Sequence, residues 1–298
     1  MKAAPIRRDD EMIGSASVTA LMRYLLSNES GLAKNPDNLG KYFVSGKWKD
    51  YLNDPKSSIK EFQKKLPGCI YYHLIRTKFF DNAVNEWCES VKDSQIIILG
   101  SGFDSRSIRF EKMLKQNNVT VFEVDLPAML AHKKEIIKKE IRVNVDHVRY
   151  VSCNFNKDNL IDKLREGNIK FNKPTLVLWE GVTFFLTSDA IELTLKDLRK
   201  NFTNTLQISL DYAFSDYIKG DLNFYGAEEL YNILVELEEP HLFGLNYNEV
   251  EEFFKKQGFS IKSNYTSFML EALYLKDTFG NSVGKPHAFH GMAEVVKI

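Results

Sequence analysis

From Ser94 onward, apolar runs of strand length alternate with amphipathic stretches. Five runs of five or six residues are rich in β-branched and aliphatic side chains, which predicts strands. The stretches between them carry apolar residues at helical spacing. An alternating series of this kind predicts an α/β fold, a mostly parallel sheet with helices on both faces. The predicted strands are Gln95–Leu99, Thr120–Asp125, Val148–Cys153, Thr175–Glu180 and Leu206–Asp211, and the predicted helices are Ser105–Gln116, Pro127–Glu140, Asn159–Arg165 and Ser188–Asn201.

The regions that flank this series have other patterns. Helical spacing over residues 11–26 and 70–91, with a Gly, Pro and Asn-rich segment between them, predicts an N-terminal helical region over residues 1–92. The core then covers residues 93–298 of a single structural domain. An irregular insertion over about 212–247 is rich in Tyr and Phe, and we expect it to build a substrate pocket. A helix and two last strands close the chain.

Composition narrows the class of protein. Of 298 residues, 44% are hydrophobic, which excludes a disordered chain. The 40 basic and 40 acidic side chains balance, so non-specific binding to nucleic acid is not expected. The three cysteines form no CxxC pair, which predicts no metal site and a reducing compartment. Charged residues between Met1 and Met12, and the lack of about 20 consecutive apolar residues, predict a cytoplasmic protein without a membrane partner.

Ligands of such sheets bind at the carboxyl ends of the strands. The first strand is followed by the glycine turn Gly100-Ser101-Gly102, and the second ends in Asp125. Glycines let a ligand approach the backbone, and an acid at the second strand end can accept ribose hydroxyls. The alternatives are a simple strand-to-helix turn and an acid that stabilises a helix N-terminus. An NAD site is disfavoured because Ser105 replaces the third glycine of that fingerprint.

Six motifs occur in order along the chain: YYHLIRTKFFDNAV (71–84), ILGSGFDSR (98–106), FEVDLP (122–127), SCNFNKD (152–158), LWEGVTFFLT (178–187) and the carboxyl-terminal FHGMAEVVK. Taken together, these motifs resemble the leucine carboxyl methyltransferase family of S-adenosylmethionine-dependent enzymes. The resemblance implies a Rossmann-like class I methyltransferase with a mostly parallel seven-stranded sheet, an N-terminal helical lid and an insertion after the fifth strand. It also implies S-adenosylmethionine as co-substrate.

The resemblance assigns a partner to each group of S-adenosylmethionine. It implies that Arg76 binds the carboxylate, Glu180 the ammonium and Asp125 the ribose. The remaining implied contacts, with the methionine moiety and with adenine, fall on Gly100, Gly102, Asn154 and Phe155. Asn154 stands where the family usually has Asp, and its amide still offers an oxygen to the adenine amino group. The alternatives are a surface arginine for Arg76 and a helix-capping acid for Glu180.

The methyl acceptor is the least defined part of the site. A carboxylate acceptor needs no general base, whereas a hydroxyl needs one and predicts a rate that rises steeply with pH. The aromatic insertion favours a small apolar or aromatic acceptor. The alternatives are methylation of a protein C-terminal leucine and a non-catalytic protein that binds S-adenosylmethionine; zero net charge disfavours the family's tRNA-modifying branch. Candidates on the acceptor side are Asp211, Tyr212, Tyr217, His287 and His290.

Overall fold

The computed structural model describes residues 9–155 and 157–298. Its centre is a seven-stranded sheet with the order β3-β2-β1-β4-β5-β7-β6. The first five strands are parallel, and β7 runs antiparallel to both of its neighbours. The predicted α/β fold is therefore confirmed. The strands are β1 (Gln95–Leu99), β2 (Thr120–Asp125), β3 (Val148–Ser152), β4 (Thr175–Trp179), β5 (Leu206–Ala213), β6 (Phe259–Thr266) and β7 (His290–Lys297).

Helices cover both faces of this sheet. They are α1 (Asp9–Leu25), α2 (Pro55–Lys65), α3 (Cys69–Ser90), α4 (Arg106–Arg109), α5 (Glu111–Gln116), α6 (Pro127–Ile136), α7 (Leu160–Glu166), α8 (Ser188–Asn201), α9 (Ser215–Ile218), α10 (Ala227–Glu236), α11 (Val250–Lys256) and α12 (Ser267–Tyr274). Short 3₁₀ turns occupy part of the predicted loop between α1 and α2.

Several predicted boundaries need correction. The predicted helix 105–116 is two helices, because the backbone at Phe110 leaves the helical region with φ −98° and ψ 11°. The predicted helix 127–140 changes at Ile137 into one π-helical turn. Strand β5 continues two residues beyond Asp211, because β7 pairs with it as far as Ala213 opposite His290.

Side chains alternate across β1 and thereby divide the core into two layers. Ile96 and Ile98 pack on one face with residues of α3 such as Leu74, and Ile97 and Leu99 pack on the other face. All five residues of β1 are buried. Continuous burial on both faces explains why the strand reads as an unbroken apolar run in the sequence.

The N-terminal region lies against the glycine turn after β1. The Phe43 ring stacks on Phe103 at a centroid distance of 4.9 Å. Arg23 of α1 donates from Nη2 to the Phe103 carbonyl oxygen at 2.7 Å. The first eight residues of the predicted lid lie outside the described residues, and its division from the core at residue 92 stays a prediction. Within the described part of the chain, no helix is both long and apolar enough to cross a membrane.

Candidate functional site

The predicted binding residues surround the carboxyl ends of β1, β2 and β4, which are neighbours in the sheet. Gly100 opens the turn with φ +64°, and a Cβ there would lie 2.5 Å from Cγ2 of Val182. Both the backbone conformation and the close neighbour therefore require glycine. The N–H of Gly102 donates to Oδ2 of Asp125 at 2.7 Å. This bond ties the turn to the end of β2.

The two acids of β2 have different surroundings. Oδ1 of Asp125 accepts from the Leu126 N–H at 2.7 Å, and the side chain is partly exposed. Burial raises the pKa of Asp125, and the two backbone donors partly offset this. Glu123 is fully buried, 2.7 Å from Nζ of Lys133, and accepts from the Ser107 hydroxyl. Asp125 is therefore the acid that a ligand can reach, while Glu123 stabilises the interior.

A chain of buried ion pairs runs from α1 to β5 along this end of the sheet. We call it the ion chain. Successive N–O distances from its first member to its last are 2.7, 3.8, 2.7, 2.8, 2.5, 3.0 and 3.4 Å, and Asp104 joins Arg106 as a branch at 2.6 Å. Five carboxylates face four guanidinium groups, so the ion chain carries one formal negative charge. Its members in order are Arg23, Asp37, Arg109, Asp81, Arg106, Glu180, Arg76 and Asp211.

Arg76 and Glu180, predicted to bind opposite ends of the methionine moiety, touch each other. Nε of Arg76 lies 3.0 Å from Oε1 of Glu180, an ion contact without the alignment of a hydrogen bond. Nη1 donates to Oδ2 of Asp211 at 3.4 Å. Arg76 is only 4% exposed, so it is not a surface arginine. Glu180 also binds Arg106 and caps no helix, which excludes both of the alternative interpretations.

Contacts between oppositely charged groups shift the pKa values of the side chains in the ion chain. Although burial opposes ionisation of Asp104, Arg106 and other cations lower the pKa of this carboxyl to about 2. The carboxylates around Arg106 raise the pKa of the guanidinium despite its burial. Asp211 differs, because burial raises its pKa by more than Arg76 and the Gly181 N–H lower it. The site is therefore charged and closely paired along its length.

The predicted adenine contacts lie at the end of β3. The N–H of Asn154 donates to Oδ2 of Asp158 at 2.8 Å, and its carbonyl accepts from the N–H groups of Lys157 and Asp158. The Phe155 side chain is partly buried against the core layer of β1 that holds Ile97 and Leu99. These contacts fix a tight loop whose Phe155 ring keeps a partly exposed surface.

Two of the predicted acceptor-side residues, His287 and His290, lie in a group of histidines next to the ion chain. We call His73, His241, His287 and His290 the histidine cluster. Tyr72 connects it to the ion chain: its hydroxyl donates to Oδ2 of Asp211 at 2.9 Å, and its ring stacks on His290 at 4.2 Å. Burial, followed by the charge of Arg76, lowers the pKa of His287 to about 3. Burial also lowers the pKa of His290 well below its ordinary value.

The two candidate tyrosines lie apart. Tyr217 stacks on Phe289 at 4.2 Å and lies 5.8 Å from the His241 ring, so it borders the histidine cluster. Tyr212 follows Asp211 in β5 and therefore points to the other face of the sheet. Its hydroxyl donates to Oδ1 of Asn264 at 2.7 Å. The structure thus brings Tyr217, His287 and His290 together and leaves Tyr212 out.

Comparison with known proteins assigns the family. The family described as leucine carboxyl methyltransferase matches residues 16–199. The chain belongs to this family. Relatives named "Putative S-adenosyl-L-methionine-dependent methyltransferase" include YktD of Bacillus subtilis, 24% identical over 65% of this chain and 66% of its own length. Another, from Mycobacteroides abscessus, is 30% identical over 63% of each chain. The chain spans about half to two thirds of the length of the first such curated relatives.

Solved structures of other proteins have the same fold as this chain. A "putative methyltransferase" of Thermobifida fusca has a TM-score of 0.57 at 16% identity and covers 93% of both chains. A duf574 family protein of Streptomyces avermitilis has a TM-score of 0.60 at 10% identity, covering 94% of this chain and 97% of its own. At these identities the similarity establishes the fold alone, and that fold is the expected Rossmann-like class I methyltransferase fold.

Sequence reasoning within the family missed some residues of the site. Arg106 stands in the quoted ILGSGFDSR motif, yet its role as the centre of the ion chain was not predicted. Tyr72 stands in the quoted helix motif beside Arg76 and was likewise unassigned. His241 lies in the irregular segment after α10 and carries no motif that could have marked it. Among the described residues, no group of three or more acidic, His or Cys side chains could hold a metal ion.

Proposed function

We propose that this protein transfers a methyl group from S-adenosylmethionine to a carboxylate or hydroxyl oxygen of a small, apolar or aromatic molecule. The observation that carries this proposal is the ion chain, which ends in Glu180, Arg76 and Asp211 beside the glycine turn. A zwitterionic amino-acid group needs both charges close together. The family and the names of its relatives support the same donor.

Each polar group of the donor has a partner at this edge of the sheet. Both oxygens of Asp125 already accept backbone hydrogen bonds and keep lone pairs for ribose hydroxyls. Arg76 offers N–H groups to the carboxylate, and Glu180 offers oxygen to the ammonium. Gly100 and Gly102 let the methionine moiety approach the backbone, while Asn154 and Phe155 flank adenine.

The charge of the ion chain fits this donor. S-adenosylmethionine carries a carboxylate, an ammonium and a sulfonium, and so has one net positive charge. The ion chain has one formal negative charge in a buried setting, where such differences act strongly. A cationic ligand therefore brings this part of the protein to neutrality.

The acceptor is held by position and by exclusion of water. When bound, S-adenosylmethionine supplies an electrophilic methyl group. Holding the acceptor oxygen in line with it contributes several kcal/mol to lowering the barrier. His287, His290 and Tyr217 are at most 2% exposed, and this enclosure supports a compact acceptor over a protein C-terminus. A role in binding S-adenosylmethionine without catalysis is the remaining alternative.

Titration calorimetry with the full chain tests the proposal. We expect S-adenosylmethionine and S-adenosylhomocysteine to bind with 1:1 stoichiometry and NAD to give no binding heat, because Ser105 replaces the third glycine of the dinucleotide turn. Binding of NAD without binding of S-adenosylhomocysteine would overturn the proposed donor. Binding of the donor without methyl transfer to any acceptor would favour the non-catalytic alternative.

A further inference from the structure

Four of the six histidines of the chain converge in the histidine cluster. They come from separate parts of the sequence: His73 from α3, His241 from the segment after α10, His287 from the loop before β7, and His290 from the first position of β7. The His290 ring lies 5.7 Å from His287 and 6.3 Å from His241. Packing alone does not require imidazoles from three distant segments at one place.

Several polar atoms of this region are buried without a hydrogen bond. Both ring nitrogens of His287, Nδ1 of His290 and the Tyr217 hydroxyl have no hydrogen-bond partner among the described residues. Buried polar atoms in folded proteins nearly always have partners, so such a group calls for an explanation. His73 differs, because its Nδ1 lies 2.9 Å from the Cys69 carbonyl oxygen. The unpartnered atoms therefore concentrate on the side of the cluster formed by His287, His290 and Tyr217.

Three imidazoles of the cluster, those of His73, His287 and His290, are uncharged at neutral pH. Arg76 is the cation of the ion chain that acts on His287, and it is already paired with Glu180 and Asp211. No carboxylate of the described residues contacts His287 or His290 in an ion pair, and their lowered pKa values keep both imidazoles uncharged at neutral pH. A neutral imidazole offers one donor and one acceptor. A carboxylate placed here would find no unpaired cation, and burial of an unpaired charge is strongly unfavourable.

Aromatic rings pack around the histidine cluster. Tyr72 stacks on His290, Phe289 stacks on His287 at 5.0 Å, and the Phe184 ring meets His290 edge-on at 5.8 Å. Aromatic rings prefer offset-stacked or edge-on partners of the same kind. The region thus combines aromatic rings with neutral hydrogen-bonding atoms.

We propose that the histidine cluster is the acceptor subsite and that it selects an uncharged hydroxylated aromatic molecule over an aromatic carboxylate. This inference rests on the proposed methyltransferase function and narrows it to one acceptor class. His290 is the contact nearest to the donor pocket, because Tyr72 joins its ring to Asp211. Tyr217 binds the far side of the acceptor.

The reaction balances without a further reactant. The hydroxyl oxygen of the acceptor forms the new bond to the methyl carbon, and the carbon–sulfur bond of S-adenosylmethionine breaks with its electron pair left on sulfur. The hydroxyl donates a hydrogen bond to an uncharged imidazole nitrogen of His290. As the new bond forms, the hydroxyl proton becomes strongly acidic and passes along this hydrogen bond, and it leaves to solvent when the products are released. The products are an aryl methyl ether, S-adenosylhomocysteine and one proton.

A matched acceptor panel tests the choice of class. The panel contains phenols of one, two and three rings and the carboxylic acids of the same ring systems, each incubated with tritiated S-adenosylmethionine and the full chain. We expect at least one phenol to be methylated at least tenfold faster than its matched acid. Faster methylation of the acids would overturn the proposal.

Tyr217→Phe separates a binding role from a packing role. Its hydroxyl has no described partner, so the variant should unfold at the same urea concentration as the unmodified chain or at a higher one. The KM for the best phenol should rise several-fold, whereas Tyr247→Phe, at an exposed tyrosine outside the histidine cluster, should leave it unchanged. Equal KM values in both variants would place Tyr217 outside the subsite and contradict the proposal.

His290→Phe tests the second contact. The ring can still stack on Tyr72, so we expect phenol methylation to fall at least tenfold while the affinity for S-adenosylhomocysteine changes less than twofold. Unchanged methylation would overturn the subsite. If no panel member reacts while S-adenosylhomocysteine binds, the acceptor proposal fails and the donor proposal stands. If S-adenosylhomocysteine itself does not bind, the proposed function fails.

Discussion

The ion chain and the histidine cluster meet at Tyr72 and differ in how their buried polar groups are paired. In the ion chain, guanidinium and carboxylate groups alternate, and Arg106 alone lies within 2.8 Å of three carboxylates. In the histidine cluster, the imidazoles of His73, His287 and His290 are uncharged. Ring nitrogens of His287 and His290, and the hydroxyl of the neighbouring Tyr217, have no described partner. Paired charges hold the backbone elements of one region together, whereas the unpartnered atoms of the other contribute no such support.

This difference predicts that substitutions in the two regions change the stability of the fold unequally. Removing one member of a buried ion pair leaves its partner charged and buried, which is costly. Removing a polar atom that has no partner costs the folded state nothing and relieves a desolvation penalty. Substitutions in the ion chain should therefore destabilise the fold in addition to any effect on donor binding, whereas those in the histidine cluster should affect acceptor binding with little loss of stability.

The largest effect should follow from Arg106→Met. The substitution leaves Asp81, Asp104 and Glu180 without their shared guanidinium, so we expect the free energy of unfolding in urea to fall by about 3–5 kcal/mol. Arg165→Met is the matched control, because Arg165 and Asp162 form an exposed pair. That variant should show no resolvable change. Equal loss in both variants would show that the buried ion chain contributes no more to stability than an exposed ion pair.

Acid should weaken the histidine cluster before the ion chain. The pKa of His287 is about 3 when folded and about 6.5 when unfolded, so the unfolded state binds the proton as pH falls from 6.5 to 3. Stability should fall over this window by about 1.4 kcal/mol per pH unit for this residue. Asp104, with its pKa lowered from 3.8 to about 2, loses its contribution only below pH 3.8.

Urea unfolding of the unmodified chain and of His287→Phe between pH 7 and pH 4 measures this slope. The variant should be less sensitive to pH by about one proton in the unfolding equilibrium. His287 faces Tyr72, Phe289 and His290, and Arg76 is the charge that acts on it most strongly. An identical pH dependence in both proteins would show that the imidazole takes up protons in the folded state.

The two acids of β2, Glu123 and Asp125, should also differ in whether their substitution lowers stability or ligand affinity. Glu123→Gln leaves Lys133 buried without its charge partner and should cost about 3 kcal/mol of stability with little change in affinity for S-adenosylhomocysteine. Asp125→Asn should weaken that affinity about tenfold, because a charged acceptor of ribose hydrogen bonds is lost. Calorimetry and urea unfolding on both variants check the expectation, and the reversed pattern would exchange the roles of the two acids.

The smallest effects concern the two buried tyrosines. Tyr212→Phe removes the hydrogen bond to Asn264 and should cost about 1 kcal/mol. Tyr217→Phe removes a hydroxyl without a described partner and should cost nothing. Thermal or urea unfolding distinguishes the two. A larger loss in Tyr217→Phe would mean that its hydroxyl supports the fold.

Local patterns were sufficient to predict much of this molecule. Strands β1 and β2 and helix α8 have the predicted bounds, because each is bounded by clear turn or capping residues such as Thr187, whose side chain accepts from the Ala190 N–H. The helix after Ser105 was misjudged, since the break at Phe110 leaves the apolar spacing intact. The motifs were sufficient to predict Arg76 and Glu180 as binding residues. Neither the motifs nor the periodicity of the sequence predicts that these two side chains contact each other.

The acceptor side depends on contacts that no local pattern encodes. His241 and His290 are far apart in the sequence, and Tyr212 and Tyr217 look equivalent until β5 places Tyr212 on the opposite face. The expected pH test also changes: with the pKa of His290 well below its ordinary value, this base is already uncharged above pH 6. A flat rate between pH 6 and 9 is therefore expected for a hydroxyl as well as for a carboxylate.

One measurement directly tests whether the donor binds at the ion chain and not at the histidine cluster. Calorimetry with S-adenosylhomocysteine compares Arg76→Lys, which keeps the charge and loses the planar guanidinium, with His290→Phe, which keeps the stacked ring. We expect at least tenfold weaker binding in Arg76→Lys and less than a twofold change in His290→Phe. Weaker binding in His290→Phe with unchanged binding in Arg76→Lys would instead place the donor in the histidine cluster.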